Sequence, residues 1–362
     1  DNHRPDDPGA LRAIRGGRVE TRLVGTCEEP VYVYDLHSSY PSQWRKGRLP
    51  IGCEQTDSTD LHAWGWLDWV TWTQPRRPDG QTPFEVGADN RGVGELGAWL
   101  TWEQAQALDA RGLQPVRAGR GWAPTGEVKD FASSFVQQLY DLKARGGSDG
   151  WFAKITLNSL SGKTQENPLR YRYLLENAPP PGQPMDGRWL QHYRARPSMV
   201  RVSPYQQPLL AAAVLGRARL TLACGIEAVE RDGHRFLYCD TDSIHTTCPP
   251  SRMAELVPCG PELGEWGLEM EGARAHYLAA KTYWLEKAGA RPKTAAKGMP
   301  KDVLSVEHFH QVADGKTVQL SREGLGKIRS GSNAGRRVTL TRTLRPVHPM
   351  RSRLPSGVLR YE

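Results

Sequence analysis

The chain has 362 residues, 38% hydrophobic and 24% charged, with a formal net charge of +8. That length can bury substantial cores and usually divides into more than one lobe; no signal peptide or transmembrane run is read in it, and the positive balance favours an anionic partner. Its six cysteines, Cys27, Cys53, Cys224, Cys239, Cys248 and Cys259, form no Cys-x-x-Cys pair, which argues against a structural zinc site and fits reduced thiols in a cytoplasmic enzyme.

Ile14-Arg15-Gly16-Gly17 comes first, with two glycines that let backbone approach a phosphate closely. Val31-Tyr32-Val33-Tyr34 is rich in β-branched and aromatic residues and reads as a short strand, with Asp35 directly after it. Trp64, Trp66, Trp69 and Trp72 crowd the next stretch. Val70, Thr71 and Thr73 favour a strand there, and four tryptophans so close read as a local core before they read as base-stacking platforms. Residues 74–82 are a loop rich in Pro, Gly and Arg, and 102–110 read as a helix with Glu103 in its first turn.

Phe131, Phe135, Leu139 and Leu142 form an apolar stripe at helical spacing, and Lys143 and Arg145 end that helix. Residues 146–150 read as a turn, and a second, antiparallel helix covers 151–162 with Gly162 as its stop. Lys154, Asn158 and Ser161 then fall at i, i+4 and i+7 on one face, so Lys143 and Lys154 would meet a shared polyanion. A solvated hairpin with surface lysines is the plain alternative.

Residues 164–200 are a basic insertion around the stiff run Ala178-Pro179-Pro180-Pro181. Residues 208–230 read as a long Ala/Leu helix carrying Arg217 and Arg219, and 236–247 as a β-hairpin with Asp240-Thr241-Asp242 at its tip. Residues 281–362 hold 17 Lys plus Arg against 6 Asp plus Glu, a net of +11, so the remainder of the chain is slightly acidic. Such a segment would grip phosphates without reading sequence, or act as a basic tail for any polyanion.

The chemistry concentrates in the acids. Side chains two apart on an extended chain point the same way, so Asp240 and Asp242 are expected to approach one cation site. Asp35 stands where a strand ends and the sheet fixes a ligand beneath open space. Three carboxylates, with substrate phosphates and water, suffice for a pair of Mg²⁺ ions. Aspartates bounding strands are also common turn residues.

Taken in order, three segments resemble the family B DNA polymerases, most closely the protein-primed phage and plasmid subgroup. Asp35-Leu36-His37-Ser38-Ser39-Tyr40-Pro41 resembles the first palm motif, an aspartate followed by Ser-x-Tyr-Pro. Lys154-x-x-x-Asn158-Ser159-x-Ser161-Gly162 resembles the fingers motif, and Tyr238-Cys239-Asp240-Thr241-Asp242-Ser243 matches the second palm motif throughout. Lys281-Thr282-Tyr283 resembles the family's primer-strand motif, and Lys297-Gly298-Met299 a further one. The likeness runs from about residue 12 to about 310.

The resemblance implies an α+β right-hand fold: an antiparallel-sheet palm, two-helix fingers and a small basic thumb. It divides the chain into a linker and start of the palm (1–30), a first palm part with an insertion (31–125), fingers (126–163), a second insertion able to form a strand-displacement hairpin (164–207), a second palm part with the catalytic hairpin (208–284) and a thumb with a basic C-terminal region (285–362). The implied activity is template-directed DNA polymerisation, with protein priming and strand displacement as options. Asp35, Asp240 and Asp242 would be the catalytic acids. Asp35, Asp242 and the Leu36 carbonyl would hold two Mg²⁺ ions, replaceable by Mn²⁺, with Asp240 less central. Tyr40 would be the steric gate under the sugar. Lys143, Lys154 and Asn158 would bind the incoming nucleotide. Arg15, Gly16, Gly17, Ser161, Lys281, Tyr283 and Lys297 would contact primer or template. The implied partners are primer–template DNA and a dNTP, with room for a terminal protein or a separate exonuclease, no membrane, and a monomeric chain.

Two residues depart from the family. Ser161 stands where it usually has tyrosine, leaving a void that a template base, a side chain or water must fill. Ile14 stands where the linker motif usually opens with tyrosine. Only 34 residues precede Asp35, too few for a proofreading domain, so the chain is expected to be the polymerase part of a longer protein or the product of a gene without that domain. The competing reading is a catalytically weak DNA-binding subunit that keeps the palm as a scaffold; the intact acids, Lys154 and Tyr40 argue against it.

Overall fold

The computed structural model describes residues 13–14, 16–45, 47–75, 84–86, 93–130, 133–165, 172–175, 195–198, 207–289, 291–296, 303–325 and 337–345. In chain order these form β1 (Val19–Thr21), β2 (Gly25–Leu36), α1 (Ser39–Trp44), β3 (Arg48–Ile51), β4 (Glu54–Thr56), β5 (Leu67–Gln74), β6 (Gly94–Thr101) and α2 (Trp102–Asp109). Then follow β7 (Val116–Arg117), β8 (Gly121–Ala123), β9 (Gly126–Lys129), α3 (Ser133–Arg145), α4 (Gly147–Thr164), β10 (Arg172–Leu175) and β11 (Ala195–Ser198). The last are α5 (Pro208–Arg231), β12 (Phe236–Asp240), β13 (Ser243–Thr246), α6 (Pro250–Leu256), β14 (Trp266–Ala279), β15 (Thr282–Glu286), β16 (Lys293–Ala296), α7 (Val306–Ala313), β17 (Val318–Leu325) and β18 (Arg337–Leu344).

An antiparallel sheet of order β1-β12-β13-β2-β14-β15-β16 organises the molecule. Its central strand β2 is longer than the four residues expected from sequence, and its period of two sends side chains to two different cores. Val31 and Val33 join Tyr238, Tyr277 and Tyr283 on one face. Tyr34 and Leu36 join Leu222, Ile226 and Ile244 on the other. With both faces covered, the register of β2 against β13 and β14 is firmly set, since a slip of one residue would exchange the two cores.

Helix α5 begins at Pro208, which suits the first helical turn, where an N–H has no partner to lose. It feeds several cores at once: Ala213 and Ala223 one, Leu222, Ile226 and Val229 a second, Leu209 and Ala212 a third, Leu210 and Val214 a fourth. Its mean hydropathy of 1.6 and its length would suit a bilayer span, but 83% of that window is buried within the molecule. It is a core helix, apolar all round because it is surrounded.

The tryptophan-rich stretch lies in a second sheet, β4-β8-β5-β6 with β7 on β5. Trp66 and Trp72 enter a core with Trp102 of α2, as the local-core reading expects. The C-terminal hairpin β17–β18 and α7 close a further core against β15, where Phe309, Val312, Leu320 and Leu344 meet Trp284. In the 164–207 region β10 pairs antiparallel with β11; the proline-rich run lies outside the described residues.

Two helix expectations need correction. α3 buries Val136 and Leu139 and leaves Phe135 46% exposed, so its apolar face is rotated from the expected stripe; Phe131 lies outside the described residues. α4 starts at Gly147 and continues past Gly162 to Thr164, so the turn is one residue rather than five. Gly146 and Gly147 take positive φ of 73° and 68°, which reverses the chain within two residues where a side chain would be strained.

Candidate active site

The acids meet at one end of the central sheet. Asp240 closes β12 opposite Ser243, and Ser243 faces Asp35 across the next ladder. Between the two strands Thr241 adopts a positive φ of 66°, and the Asp242 N–H donates to the Asp240 carbonyl at 2.7 Å. The tip is therefore a tight turn and not an extended run. A tight turn, and not the alternation of an extended strand, therefore sets the two side chains, yet both line one cleft and Asp240 adds to the charge that raises Asp242. Asp242 also lies beside Asp35, its carbonyl accepting the Leu36 N–H at 2.8 Å. Asp240 turns to Lys281, whose ammonium lies 2.8 and 2.9 Å from its two oxygens.

Burial and like charge act on this cluster together. The Asp242 carboxyl is pushed up to about 7, first by burial, then by Asp35 and Asp240. Asp35 is also raised, first by burial, then by Glu269 on β14. Sequence reasoning did not single out Glu269. It stands two residues from Gly267, the β14 partner of Asp35, and pairs with Lys293 at 2.5 Å. Asp35, Asp240, Thr241, Asp242, Ser243, Glu269, Tyr283 and Lys293 line an open cleft of about 360 Å³.

The cations approach from the helix hairpin. The Lys143 ammonium donates to the Ser38 hydroxyl at 2.8 Å. Its pKa is lowered by burial and by Lys154, against the pull of Asp35 and Asp242. The structure thus brings Lys143, Lys154 and the acids into one electrostatic neighbourhood, as expected. Lys154 and Asn158 are exposed on α4. Tyr40, on α1, has its phenol raised by burial and then by Asp242, and its oxygen accepts the Gly17 N–H.

Gly17 lies against the hairpin tip: a Cβ there would stand 2.5 Å from the Thr241 Cα. The Thr241 N–H donates to the Arg18 carbonyl at 2.7 Å, and Arg219 of α5 donates to the Gly16 carbonyl at 2.7 Å. Arg15 and Lys297 lie outside the described residues. Tyr283 is 7% exposed, tilted against Tyr238 with ring centroids 5.0 Å apart, and it reaches the cleft floor. His245 is fully buried with its Nδ1 3.0 Å from the Tyr277 hydroxyl, and burial holds it neutral. It is a local hydrogen-bond partner and not a metal ligand.

Ser161 requires a correction. It is 3% exposed, and its hydroxyl accepts the Trp44 indole N–H at 3.1 Å. A primer or template contact at this position is closed by burial, and the expected void is filled by Trp44 from α1.

Among the described residues no three His, Cys, Asp or Glu side chains converge tightly enough to form a ready-made metal cage. The donor set still fits a hard cation that is shared with a ligand. Mg²⁺ is typically held by one or two carboxylates plus substrate phosphates. Asp35 and Asp242 are adjacent, part-buried and mutually repelled, and positive charge between them would relieve that repulsion.

No protein-family model matches the chain. It is 25% identical over 338 residues to the DNA-directed DNA polymerase of Enterobacteria phage PRD1, covering 87% of this chain and 59% of that one. It is 30% identical over 310 residues to the DNA polymerase of Bacillus phage Nf, covering 77% and 50%. The chain is a relative of the phage DNA polymerases of the protein-primed family B type. It spans about half the length of the curated relatives it matches. Among solved structures, phi29 DNA polymerase in complex with primer–template DNA and incoming nucleotide aligns with a TM-score of 0.67 at 18% identity, over 94% of this chain and 62% of that one. The complex of the same polymerase with primer–template DNA alone gives 0.66 at 19% identity. These likenesses establish the α+β polymerase fold.

Proposed function

We propose that this chain is a DNA-directed DNA polymerase core, which joins a deoxynucleotide to a primer 3′-hydroxyl and releases pyrophosphate. The observation that carries the reading is the pairing of Asp242 with Asp35 at the sheet end, facing Lys143 and Lys154 from the helix hairpin. Acids and lysines would thus flank a site where a triphosphate fits between them.

In this reading the 3′-oxygen bonds to the α-phosphorus as the bond to the pyrophosphate oxygen breaks. Lys143 and Lys154 neutralise charge on the triphosphate, where fixed donors act more strongly than in water. Asn158 lies near the nucleotide, and Tyr40 stands under the sugar. Asp35, Asp242 and the Leu36 carbonyl would hold two Mg²⁺ ions, for which Mn²⁺ could substitute. Bound there, such ions supply Lewis-acid charge and lower the pKa of the primer hydroxyl. Lys281 and Tyr283 lie on the primer side, a reading that the Lys281–Asp240 ion pair supports. α3 and α4 serve as fingers, and the unit of α7, β17 and β18 as the thumb on duplex phosphates. The chain acts as a monomer on primer–template DNA and dNTP, with a terminal protein or a separate exonuclease as further partners.

The test is extension of a labelled primed template with dNTPs and Mg²⁺, beside Asp242→Asn. Extension by the wild-type chain, lost in the variant while duplex binding persists, supports the reading. A wild-type chain that binds duplex and extends nothing would falsify it in favour of a binding scaffold.

A further inference from the structure

Helix α1, which carries Tyr40, is tied to the helix hairpin at three points. At its start the Lys143 ammonium donates to Ser38. At its end Arg45 donates to Gln137 of α3 at 2.5 Å, on the exposed side. Between these lies the buried tie, Trp44 to Ser161. Trp44 is 1% exposed and shares a core with Val136 of α3, Ala153 and Leu157 of α4, and Leu210 and Val214 of α5.

The placement of this tie gives it leverage. Ser161 lies seven residues after Lys154 and three after Asn158, at the edge where the exposed side of α4 that carries those two meets its buried side. Trp44 lies four residues after Tyr40, one turn along α1. One hydrogen bond therefore joins the helix bearing the sugar-side tyrosine to the helix bearing the triphosphate-side lysine. A buried indole N–H without an acceptor costs more than the bond itself is worth, so this geometry is strongly held.

Building on the polymerase reading, we propose that Trp44 and Ser161 form a pivot that sets the spacing between Tyr40 and Lys154, making Trp44 a positioning residue for nucleotide selection. A pivot that carries no ligand contact acts on nucleotide affinity and sugar choice, not on the grip on DNA.

Primer extension by the full chain tests this with Trp44→Phe, Ser161→Ala, Ser161→Thr and the double variant Trp44→Phe/Ser161→Ala. Trp44→Phe and Ser161→Ala are expected each to raise the dNTP KM about fivefold and to narrow the preference for dNTP over NTP, with primer–template affinity unchanged. The double variant should be no worse than the poorer single one, since both remove the same bond. Ser161→Thr keeps the hydroxyl and should restore near wild-type KM. Loss of Trp44 packing is separated by Ser161→Ala, which removes one oxygen and leaves the indole in place. A KM and sugar preference unchanged in Ser161→Ala, or effects that simply add in the double variant, overturn the pivot. The wild-type chain extends in parallel, so that result leaves the polymerase reading standing.

Discussion

The central sheet and the α3–α4 hairpin solve opposite problems. The sheet buries β2 on both faces and rests on α5, so the Asp35–Asp242 pair is held by ladders on either side. The hairpin buries only Val136 and Leu139 from α3, and α4 buries Ala153 and Leu157 on its inner face while leaving Trp151 and Phe152 67% and 62% exposed on its outer one. In the proposed reaction the acids lie on the stiff part, and the lysines proposed to meet a triphosphate lie on the lightly packed part. Elements with few buried apolar contacts are the ones that open at low free-energy cost.

The sharpest way to break this contrast is at the rigid end. Asp242→Asn keeps shape and removes charge, and extension should fall by about a thousandfold or more, on the scale of losing a central catalytic group. Next comes the lightly packed end. Lys143→Met removes the ammonium that reaches Ser38 and faces the acids. The dNTP KM should rise about tenfold to a hundredfold, with primer–template affinity much less affected; single-nucleotide kinetics read both. Equal losses of nucleotide and DNA binding would dissolve the division of labour.

The two regions were also unequally legible in the sequence. Asp35, Asp240 and Asp242 were readable because each ends or links a short strand whose neighbours are β-branched or aromatic, and strand ends are local events. How the tip arranges them was not: the positive φ of Thr241 makes a tight turn in place of an extended run, and Asp240 pairs with Lys281 while Asp242 stays close to both Asp35 and Asp240. Glu269, Lys293 and Trp44 carried no local signal, because their roles arise from ladders and packing between distant segments. For the same reason Ser161 could be flagged as a departure while its partner could not be named. On α3, Phe135 and Val136 are adjacent apolar residues, and only the tertiary packing decides which one faces inward.

Gly17→Ala strikes the joint between hairpin tip and sugar-side tyrosine. The added methyl would meet the backbone of Thr241, which cannot rotate away as a side chain could. Destabilisation of about 1–3 kcal/mol by thermal or urea melting is expected, together with weaker extension at saturating DNA. Reduced DNA affinity with unchanged stability would show instead that these glycines serve mainly as a strand contact.

Protonation sharpens the comparison without mutation. The Asp242 carboxyl is raised to about 7 in the folded chain, far above the ordinary aspartate range that the unfolded chain shows. The folded state thus holds this proton more tightly, and the stability linked to it is full below about pH 4 and lost as pH rises through about 7. Asp232 and Glu127 are lowered by their arginine partners Arg252 and Arg48, so they slope the opposite way at acid pH. The difference between wild-type and Asp242→Asn melting temperatures isolates the Asp242 contribution. With EDTA, wild type should lose ground to the variant between pH 5 and pH 8; with Mg²⁺ at pH 8 it should regain it. A difference independent of both pH and Mg²⁺ would remove the repulsion at Asp242 from the account.

The smallest effect is expected at the outer face of α4. Trp151→Ser replaces a side chain that is two-thirds exposed, so stability should change by no more than about 0.5 kcal/mol, read by urea denaturation. The same substitution one layer inward, Leu157→Ser, removes a 1%-exposed side chain from the core shared with Trp44 and should cost about 3 kcal/mol or more. If the two variants lost similar stability, the outer face of α4 would be packed as the sheet is, and the contrast between the two regions would not hold. A wide gap between them separates the outward face of α4, which carries Trp151 and the exposed Lys154, from the inward face of Ala153 and Leu157.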